Sequence, residues 1–193
     1  MRTAPLALIP ALIPCLLLAA CDDDGGEPTP QQVADGGLAD GGAPDQAPAP
    51  TCDDSQPPLV MAHGFLASGD TWSPHARRFA ANGHCPDRYV AFDWDTLNRR
   101  ADHAAALDAV IDDLRAATGA AQVDLMGHSA GGNLGYEYLA DPARAAKVAH
   151  YVHVGSFANE GPAGPPGAEP VPTLNIWSPA DTVVEGADIP GAQ

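Results

Sequence analysis

One serine of the chain stands in a pattern suited to nucleophilic chemistry, Gly127-His128-Ser129-Ala130-Gly131. A short apolar run precedes this segment, and a helix-compatible stretch, residues 130–140, follows it at once. Between a strand and a helix, Gly-x-Ser-x-Gly forms a strained turn that raises the serine hydroxyl above the sheet. The two glycines let strand and helix approach each other closely, because they carry no side chain. The pattern therefore predicts that Ser129 is a nucleophile.

A serine hydroxyl is a poor nucleophile at neutral pH unless a histidine takes its proton and a carboxylate orients that histidine. Backbone amides must also stabilise the oxyanion that forms on attack, and the Ala130 amide, at the helix start, is suitably placed. The alternative is a surface serine in a glycine-rich loop. With 20 glycines in 193 residues, this motif arises by chance in roughly 5% of such chains. The strand and helix patterns around Ser129 favour the catalytic interpretation.

Apolar runs and helix-compatible segments alternate from about residue 59 onwards. This alternation is typical of βαβ units and predicts a parallel sheet of the α/β class with helices on both faces. Short apolar runs predict strands, and helical spacing, caps and stop signals predict helices. The predicted strands are residues 59–62, 89–92, 122–126, 148–154 and 171–177, and the predicted helices are residues 73–81, 107–117 and 130–140. A Gly/Pro-rich loop, residues 156–170, is expected at the same end of the sheet as Ser129.

Four motifs carry a resemblance to a known family. They are His63-Gly64-Phe65, Phe92-Asp93-Trp94-Asp95, the segment 127–132 and Ser178-Pro179-Ala180-Asp181-Thr182-Val183-Val184. Over about residues 58–193 the chain resembles an α/β hydrolase, most closely the small lidless bacterial lipases of the lipase A (class 2 lipase) type. The resemblance implies the α/β-hydrolase fold, minimal and without a lid.

The resemblance also implies roles for individual residues. Ser129 matches the family's nucleophile, and Asp181, just after the fifth predicted strand, matches its catalytic acid. The alternative for Asp181 is an aspartate that only forms a turn, and Asp188 is a second candidate for the acid. Phe65 is expected to supply the second oxyanion-hole amide beside Ala130. The chain order of serine before aspartate is the one that this fold uses.

The catalytic histidine is absent from its expected place, because no histidine follows Asp181 in the sequence. In the family, a Gly-Ala dipeptide like Gly191-Ala192 lies shortly before the last strand, whose end carries that histidine. The domain, residues 51–193, is therefore expected to be incomplete at its C-terminus, with the base beyond residue 193. Two other candidates, His150 and His153, precede the acid and break the order.

The two remaining histidines near the motifs have other expected roles. His63 resembles a structural histidine that supports its loop. His128 lies on the wrong side of the turn to accept the serine proton.

Three functions remain open at this point. The first is a serine carboxylic-ester hydrolase, a lipase or esterase, acting through an acyl-enzyme on a small-molecule or lipid ester. The second is a non-catalytic surface lipoprotein that keeps the fold for binding. The third is a polyester depolymerase or acyltransferase relative with the same catalytic residues. The serine motif, the His-Gly motif and the acid together favour the first.

The N-terminal residues are typical of an exported protein. Residues 1–20 indicate a signal peptide, and the segment Leu18-Ala19-Ala20-Cys21 resembles the lipobox of bacterial lipoproteins, in which Cys21 is acylated. An ordinary secretory cleavage site is the alternative. Residues 21–50 have seven of the chain's 25 acids and none of its nine Lys and Arg residues, and they predict a disordered acidic tether. The protein is expected in the cell envelope, anchored by its lipid, or secreted.

Composition excludes several classes of partner. The formal net charge is −16, and the chain has no basic cluster, which argues against nucleic acid and against electrostatic docking on anionic lipid. No His, Cys or Asp cluster has the spacing of metal ligands, so neither a metal nor another cofactor is expected.

Cys52 and Cys85 form an even pair in an oxidising compartment, which predicts a disulfide between them. Two free thiols are the alternative.

Overall fold

The computed structural model of the chain describes residues 52–184 and 187–193. The expected signal peptide, the lipidation site Cys21 and the acidic tether all lie outside these residues. Within the described part, no helix combines the length and the apolar character needed to cross a membrane.

Five short strands form one sheet in which every neighbouring pair is parallel, in the order β2-β1-β3-β4-β5. The strands are β1 (Leu59–Ala62), β2 (Tyr89–Phe92), β3 (Val123–His128), β4 (Val148–Val154) and β5 (Thr173–Ile176). The predicted α/β class and parallel sheet are confirmed. The fifth strand begins at Thr173 instead of Val171, since the intervening Pro172 has no N–H to donate to a ladder.

In residues 52–184 and 187–193, four α-helices connect and cover the strands. They are α1 (Ser73–Ala81), α2 (His103–Thr118), α3 (Ala130–Leu139) and the short α4 (Pro142–Ala145). Helix α2 begins four residues before the predicted start, because the Asp102 side chain accepts a hydrogen bond from the Ala105 amide at 2.8 Å and caps it. The predicted helix stop at Asp141-Pro142 is also the start of α4, which Asp141 caps.

The hydrophobic core lies between one face of the sheet and helices α2 and α3. Strand residues alternate between the two faces, and the buried core side chains of the central strands all point to the same face. They include Val60, Val123, Leu125 and Tyr151 from the sheet and Leu107, Ile111, Leu134 and Tyr138 from the helices.

The opposite face of the sheet meets α1, which has no buried residue. Phe79 of α1 lines a cavity of about 250 Å³ together with Leu59, Met126 and Val152. These strand residues alternate with the core residues, so the cavity lies on the second face. Helices therefore stand on both faces, as the sequence predicts.

The described residues before β1, 52–58, are attached to the segment that precedes β2. The structure joins Cys52 and Cys85 by a disulfide, and Asp53 forms a β-bridge with His84 next to it. Arg88 donates a hydrogen bond to the Gln56 carbonyl at 2.9 Å. These contacts lie at the amino end of the strands, opposite to the end at which Ser129 follows β3.

Gln193 lies beside the open edge of β5. Its amide donates to the Thr173 carbonyl at 3.0 Å, and its carbonyl accepts from the Asn175 amide at 3.0 Å. This pair of bonds has the pattern of a parallel ladder.

Candidate active site

Ser129 forms the turn between β3 and α3. Its backbone has φ 52° and ψ −117°, a conformation that a residue with a side chain rarely adopts. The strained turn expected from the Gly-x-Ser-x-Gly pattern is present. The serine is half-buried at the carboxyl end of the sheet.

Glycine is required on both sides of this turn by close backbone contacts. A Cβ atom at Gly127 would overlap the Gly131 backbone, with its carbonyl carbon only 2.6 Å away. A Cβ at Gly131 would overlap the carbonyl groups of Ala62 and His63 at the end of β1. Strand β3 and helix α3 therefore approach each other as closely as the sequence pattern suggests.

The end of β4 and the loop after it hold both backbone groups of Ser129. The Ser129 amide donates to the Val154 carbonyl at 3.0 Å. The Ser129 carbonyl accepts from the Ser156 hydroxyl at 2.6 Å and from the Gly132 amide at 2.9 Å. Ser156 is fully buried. Sequence reasoning did not single out this serine, because a lone Ser in a Gly/Pro-rich loop has no distinguishing signal.

Two backbone amides near Ser129 can serve as an oxyanion hole. The amides of Phe65 and Ala130 donate no hydrogen bond to any other residue that the structure describes. The loop that carries Phe65 lies against the nucleophile, since a Cβ built on Gly64 would be 3.2 Å from the Ser129 Cβ. Both amides proposed from the sequence are thus adjacent to the serine and available to a ligand.

His63 supports the loop after β1. It is fully buried, and its Nδ1 lies 2.9 Å from the Gly64 carbonyl, which also accepts from the Ala67 amide at 3.2 Å. Its Nε2 accepts from the Trp94 amide at 3.2 Å and lies 3.1 Å from the Asp93 carboxylate. Both ring nitrogens are therefore occupied, which fits a structural histidine and excludes a base in this arrangement.

The loop after β2 braces the same segment from the other side. The Leu66 amide donates to the Thr96 hydroxyl at 3.0 Å, and the Trp94 indole donates to the His63 carbonyl at 3.2 Å. Leu66 has φ 57°, so a second strained residue stands directly after Phe65. Thr96, like Ser156, has no sequence signal that would have revealed this contact.

Asp181 follows β5 at the carboxyl end of the sheet. Its carboxylate accepts hydrogen bonds from the amides of Val184 at 3.0 Å and Val183 at 2.8 Å. These bonds lower the pKa of Asp181 below its ordinary value, so the group stays ionised. The second candidate, Asp188, is exposed.

The negative charge of Asp181 affects the pKa of His128. Burial lowers the pKa of His128, and the Asp181 carboxylate partly opposes that effect. The His128 ring also lies near Gly64 and Gly155. The candidate acid is therefore close to the residue that precedes the nucleophile.

Neither His150 nor His153 is arranged as the base. His153 is fully buried, with its ring nitrogens 3.1 Å from the Tyr151 hydroxyl and 3.1 Å from the Phe157 carbonyl. His150 is exposed and pairs with Asp124 at 2.8 Å. Among the described residues, no histidine forms a hydrogen bond with the Ser129 hydroxyl.

Exposed apolar side chains lie at the carboxyl end of the strands. Phe65 is 55% exposed, Leu66 66% and Phe157 52%, and each follows a strand that borders Ser129. In the same described ranges, no group of three or more His, Cys, Asp or Glu side chains could hold a metal ion. The surroundings of the serine thus offer apolar contacts and backbone donors.

Solved structures similar to this chain include several hydrolases. A Bacillus licheniformis lipase, BlEst2 in its mature form, has 23% identity and a TM-score of 0.48, over 57% of this chain and 44% of its own. A carboxylesterase structure from Nitrososphaera gargenis has 19% identity and a TM-score of 0.41, over 54% and 39%. Epoxide hydrolase A from Mycobacterium thermoresistibile has 18% identity and a TM-score of 0.41, over 57% and 34%. The chain spans less than half of the length of each.

The sequence model of the alpha/beta hydrolase family matches residues 59–190. This segment is more than half of the chain, and it contains the whole of the sheet and every element around Ser129. The chain therefore belongs to the α/β hydrolase family.

Proposed function

We propose that this protein is a serine carboxylic-ester hydrolase, an esterase or lipase that acts through an acyl-enzyme on Ser129. The observation that carries the proposal is the pairing of a strained serine with two amides, those of Phe65 and Ala130, that bind no other described residue. Amides so placed can stabilise the oxyanion that forms when a serine attacks an ester carbonyl.

In the proposed reaction, the Ser129 oxygen attacks the ester carbonyl carbon while a histidine accepts the hydroxyl proton. The carbonyl oxygen becomes an oxyanion held by the two amides, each contributing about 3 kcal/mol of transition-state stabilisation if well placed. The alcohol then leaves with the proton from the histidine, and water hydrolyses the acyl-enzyme. The role proposed for Asp181 is to orient the histidine, and its lowered pKa suits a carboxylate that stays ionised.

We propose that the histidine belongs to a segment after Gln193. Two features support this: His63, His150 and His153 are engaged in other contacts, and Gln193 pairs with the edge of β5 in parallel. A strand continuing from that pairing would end near the carboxyl ends of β3 and β5, where Ser129 and Asp181 lie. This position agrees with the chain order of the family, serine, acid, histidine.

The apolar side chains of Phe65, Leu66 and Phe157 support an ester with an apolar acyl group as the substrate.

A panel of p-nitrophenyl esters of increasing acyl length measures esterase activity. A polyester film and an alcohol acceptor, tested beside it, separate that activity from the depolymerase and acyltransferase alternatives.

The test compares p-nitrophenyl butyrate hydrolysis by the 193-residue chain and by the chain with its natural continuation. Removing the serine or histidine of such a triad lowers turnover by about 10⁶-fold, and the oxyanion hole leaves roughly 10³–10⁴ over water. We expect full activity only in the continued chain, abolished by Ser129→Ala and retained by Ser73→Ala, a matched change at the exposed start of α1. Turnover that survives Ser129→Ala contradicts the role of Ser129, and a continued chain without any ester turnover contradicts the proposal and favours a binding role.

Strong Ser129-dependent turnover by the 193-residue chain would contradict only the position of the base. It would direct attention to His150 or His153.

A further inference from the structure

The buried hydroxyl of Ser156 is placed to control the geometry of the nucleophile without contacting the substrate. It donates to the Ser129 carbonyl at 2.6 Å and is fully buried. It also packs on α3, where a Cβ built on Gly132 would be 2.5 Å from the Ser156 oxygen. The Ser156 side chain is therefore enclosed between Ser129 and α3.

The Ser129 carbonyl and the Ala130 amide belong to the same peptide group. In a planar trans peptide, the C=O and the N–H point in opposite directions. The Ser156 hydroxyl and the Gly132 amide, which donates to the same oxygen at 2.9 Å, together fix the Ser129 carbonyl and so direct the Ala130 N–H to the opposite side. That N–H is one of the two donors of the proposed oxyanion hole.

Val154, the last residue of β4, restrains Ser129 through a second hydrogen bond. The Ser129 amide bonds to Val154 at 3.0 Å, so both backbone polar groups of the strained serine are attached to residues just two positions apart. The loop after β4 is fixed by His153, whose Nε2 lies 3.1 Å from the Phe157 carbonyl. Strained backbone conformations persist only where several neighbouring contacts enforce them, as these hydrogen bonds do here.

We propose that Ser156 is a positioning residue for the esterase reaction, acting through the peptide between Ser129 and Ala130. This inference rests on the proposed function. Its consequence is that loss of the hydroxyl impairs the transition state more than it impairs substrate binding, because only the oxyanion needs the Ala130 amide in place.

The test uses the natural full-length chain and the variants Ser156→Ala, Ser156→Cys and Thr118→Val. Thr118 is the matched control, since its hydroxyl also donates to a backbone carbonyl, that of Leu114 at 2.7 Å, at the end of α2 that leads to the amino end of β3. The measured quantities are kcat and KM for p-nitrophenyl butyrate, the inhibition constant of butylboronic acid, which forms a tetrahedral adduct on serine, and the melting temperature.

For Ser156→Ala we expect kcat to fall by about 10- to 100-fold, as a small misplacement of a catalytic group does, with KM within about twofold. Boronate affinity should fall by a similar factor. Ser156→Cys, which fills the space with a weaker donor, should give intermediate values, and Thr118→Val should match the wild type.

Three results would overturn the inference: kcat of Ser156→Ala within twofold of the wild type, a change confined to KM, or an equal loss of kcat in Thr118→Val. In each case the wild type still shows Ser129-dependent turnover, and the proposed function stands. A wild type without that turnover would overturn both proposals.

Discussion

Strain is concentrated at the residues next to the amides of Phe65 and Ala130. Leu66 and Ser129 are the non-glycine residues with positive φ in the described ranges. Leu66 directly follows Phe65, and Ser129 directly precedes Ala130. Each such conformation costs on the order of 1–3 kcal/mol and persists where neighbouring contacts enforce it. Here those contacts are hydroxyl groups, Thr96 on Leu66 and Ser156 on Ser129.

A side chain at Gly127 should be incompatible with the elbow. The Gly127→Ala variant places a Cβ against the Gly131 backbone, and backbone cannot move aside without shifting α3. We expect a loss of about 1–3 kcal/mol in the free energy of unfolding, measured by urea denaturation, together with a loss of esterase activity.

Gly161→Ala is the control for this change, because the nearest atom to a Cβ there is the Pro190 carbonyl oxygen at 3.9 Å. Its free energy of unfolding should stay within about 0.5 kcal/mol of the wild type. Equal stability of the two variants would contradict the account of the close approach.

Protonation of His153 should make stability depend on pH. Burial lowers the pKa of His153 below its ordinary value of 6.5, so the unfolded chain takes up a proton at a higher pH than the folded one. Stability is therefore complete above about pH 6.5 and falls as the pH drops from there towards the folded pKa. Urea denaturation between pH 8 and pH 5 should show this loss.

The His153→Gln variant tests the assignment, since it should make the pH profile flatter even if its overall stability is lower. His75→Gln, at an exposed position of α1, should keep the wild-type profile. A profile unchanged by His153→Gln would show that other groups cause the acid sensitivity.

At the scale of elements, three connections between strands and helices bring the chemistry together. The loops after β1, β3 and β5 carry Phe65, Ser129 and Asp181 to the carboxyl end of one sheet. Side chains of the loops after β2 and β4, Thr96 and Ser156, brace the first two of these loops. The described segment between β4 and β5, residues 155–172, contains no helix.

The Cys52–Cys85 disulfide should stabilise the fold without affecting catalysis. It closes a segment with a sequence separation of 33 residues, worth about 3–4 kcal/mol by the loss of chain entropy in the unfolded state. We expect the double variant Cys52→Ser/Cys85→Ser to lose about that much in urea denaturation. Its kcat should be unchanged, because the bond lies at the opposite end of the sheet from Ser129.

Wild-type protein in a reductant should behave like the double variant. Two free thiols at these positions in the mass spectrum of the unreduced protein would reject the pairing.

At the scale of the whole molecule, the net charge of −16 disfavours electrostatic docking on an anionic membrane surface. A covalent lipid is an anchor that does not depend on this charge. We propose that acylated Cys21 is that anchor. The Cys21→Ser variant should leave the membrane fraction on cell fractionation.

Cys15→Ser is the matched control, since this cysteine lies in the segment expected to be removed, and the variant should remain membrane-bound. Wild-type protein found entirely in the soluble fraction would contradict the lipoprotein hypothesis.

Local patterns in the sequence were sufficient for the fold class and supplied the candidates for the site. Alternating apolar runs and helices determine a parallel α/β sheet, because each strand must bury its faces under the helices that connect it. The Gly-x-Ser-x-Gly motif was recognisable partly because Gly127 is required by a backbone contact with Gly131, only four residues away. Ser129, Phe65, Ala130 and Asp181 could be named from these patterns and from the family resemblance.

Only the tertiary structure decided which groups hold the site in place. Ser156 lies 27 residues from Ser129 and Thr96 lies 30 residues from Leu66, and both contacts depend on the register and order of neighbouring strands. A single hydroxyl in a loop carries no periodicity and no motif, so its partner is undefined until the sheet is assembled. The same is true of His153, whose position inside β4 is visible in the sequence but whose burial among Tyr151, Phe157 and α3 is a property of the packed fold.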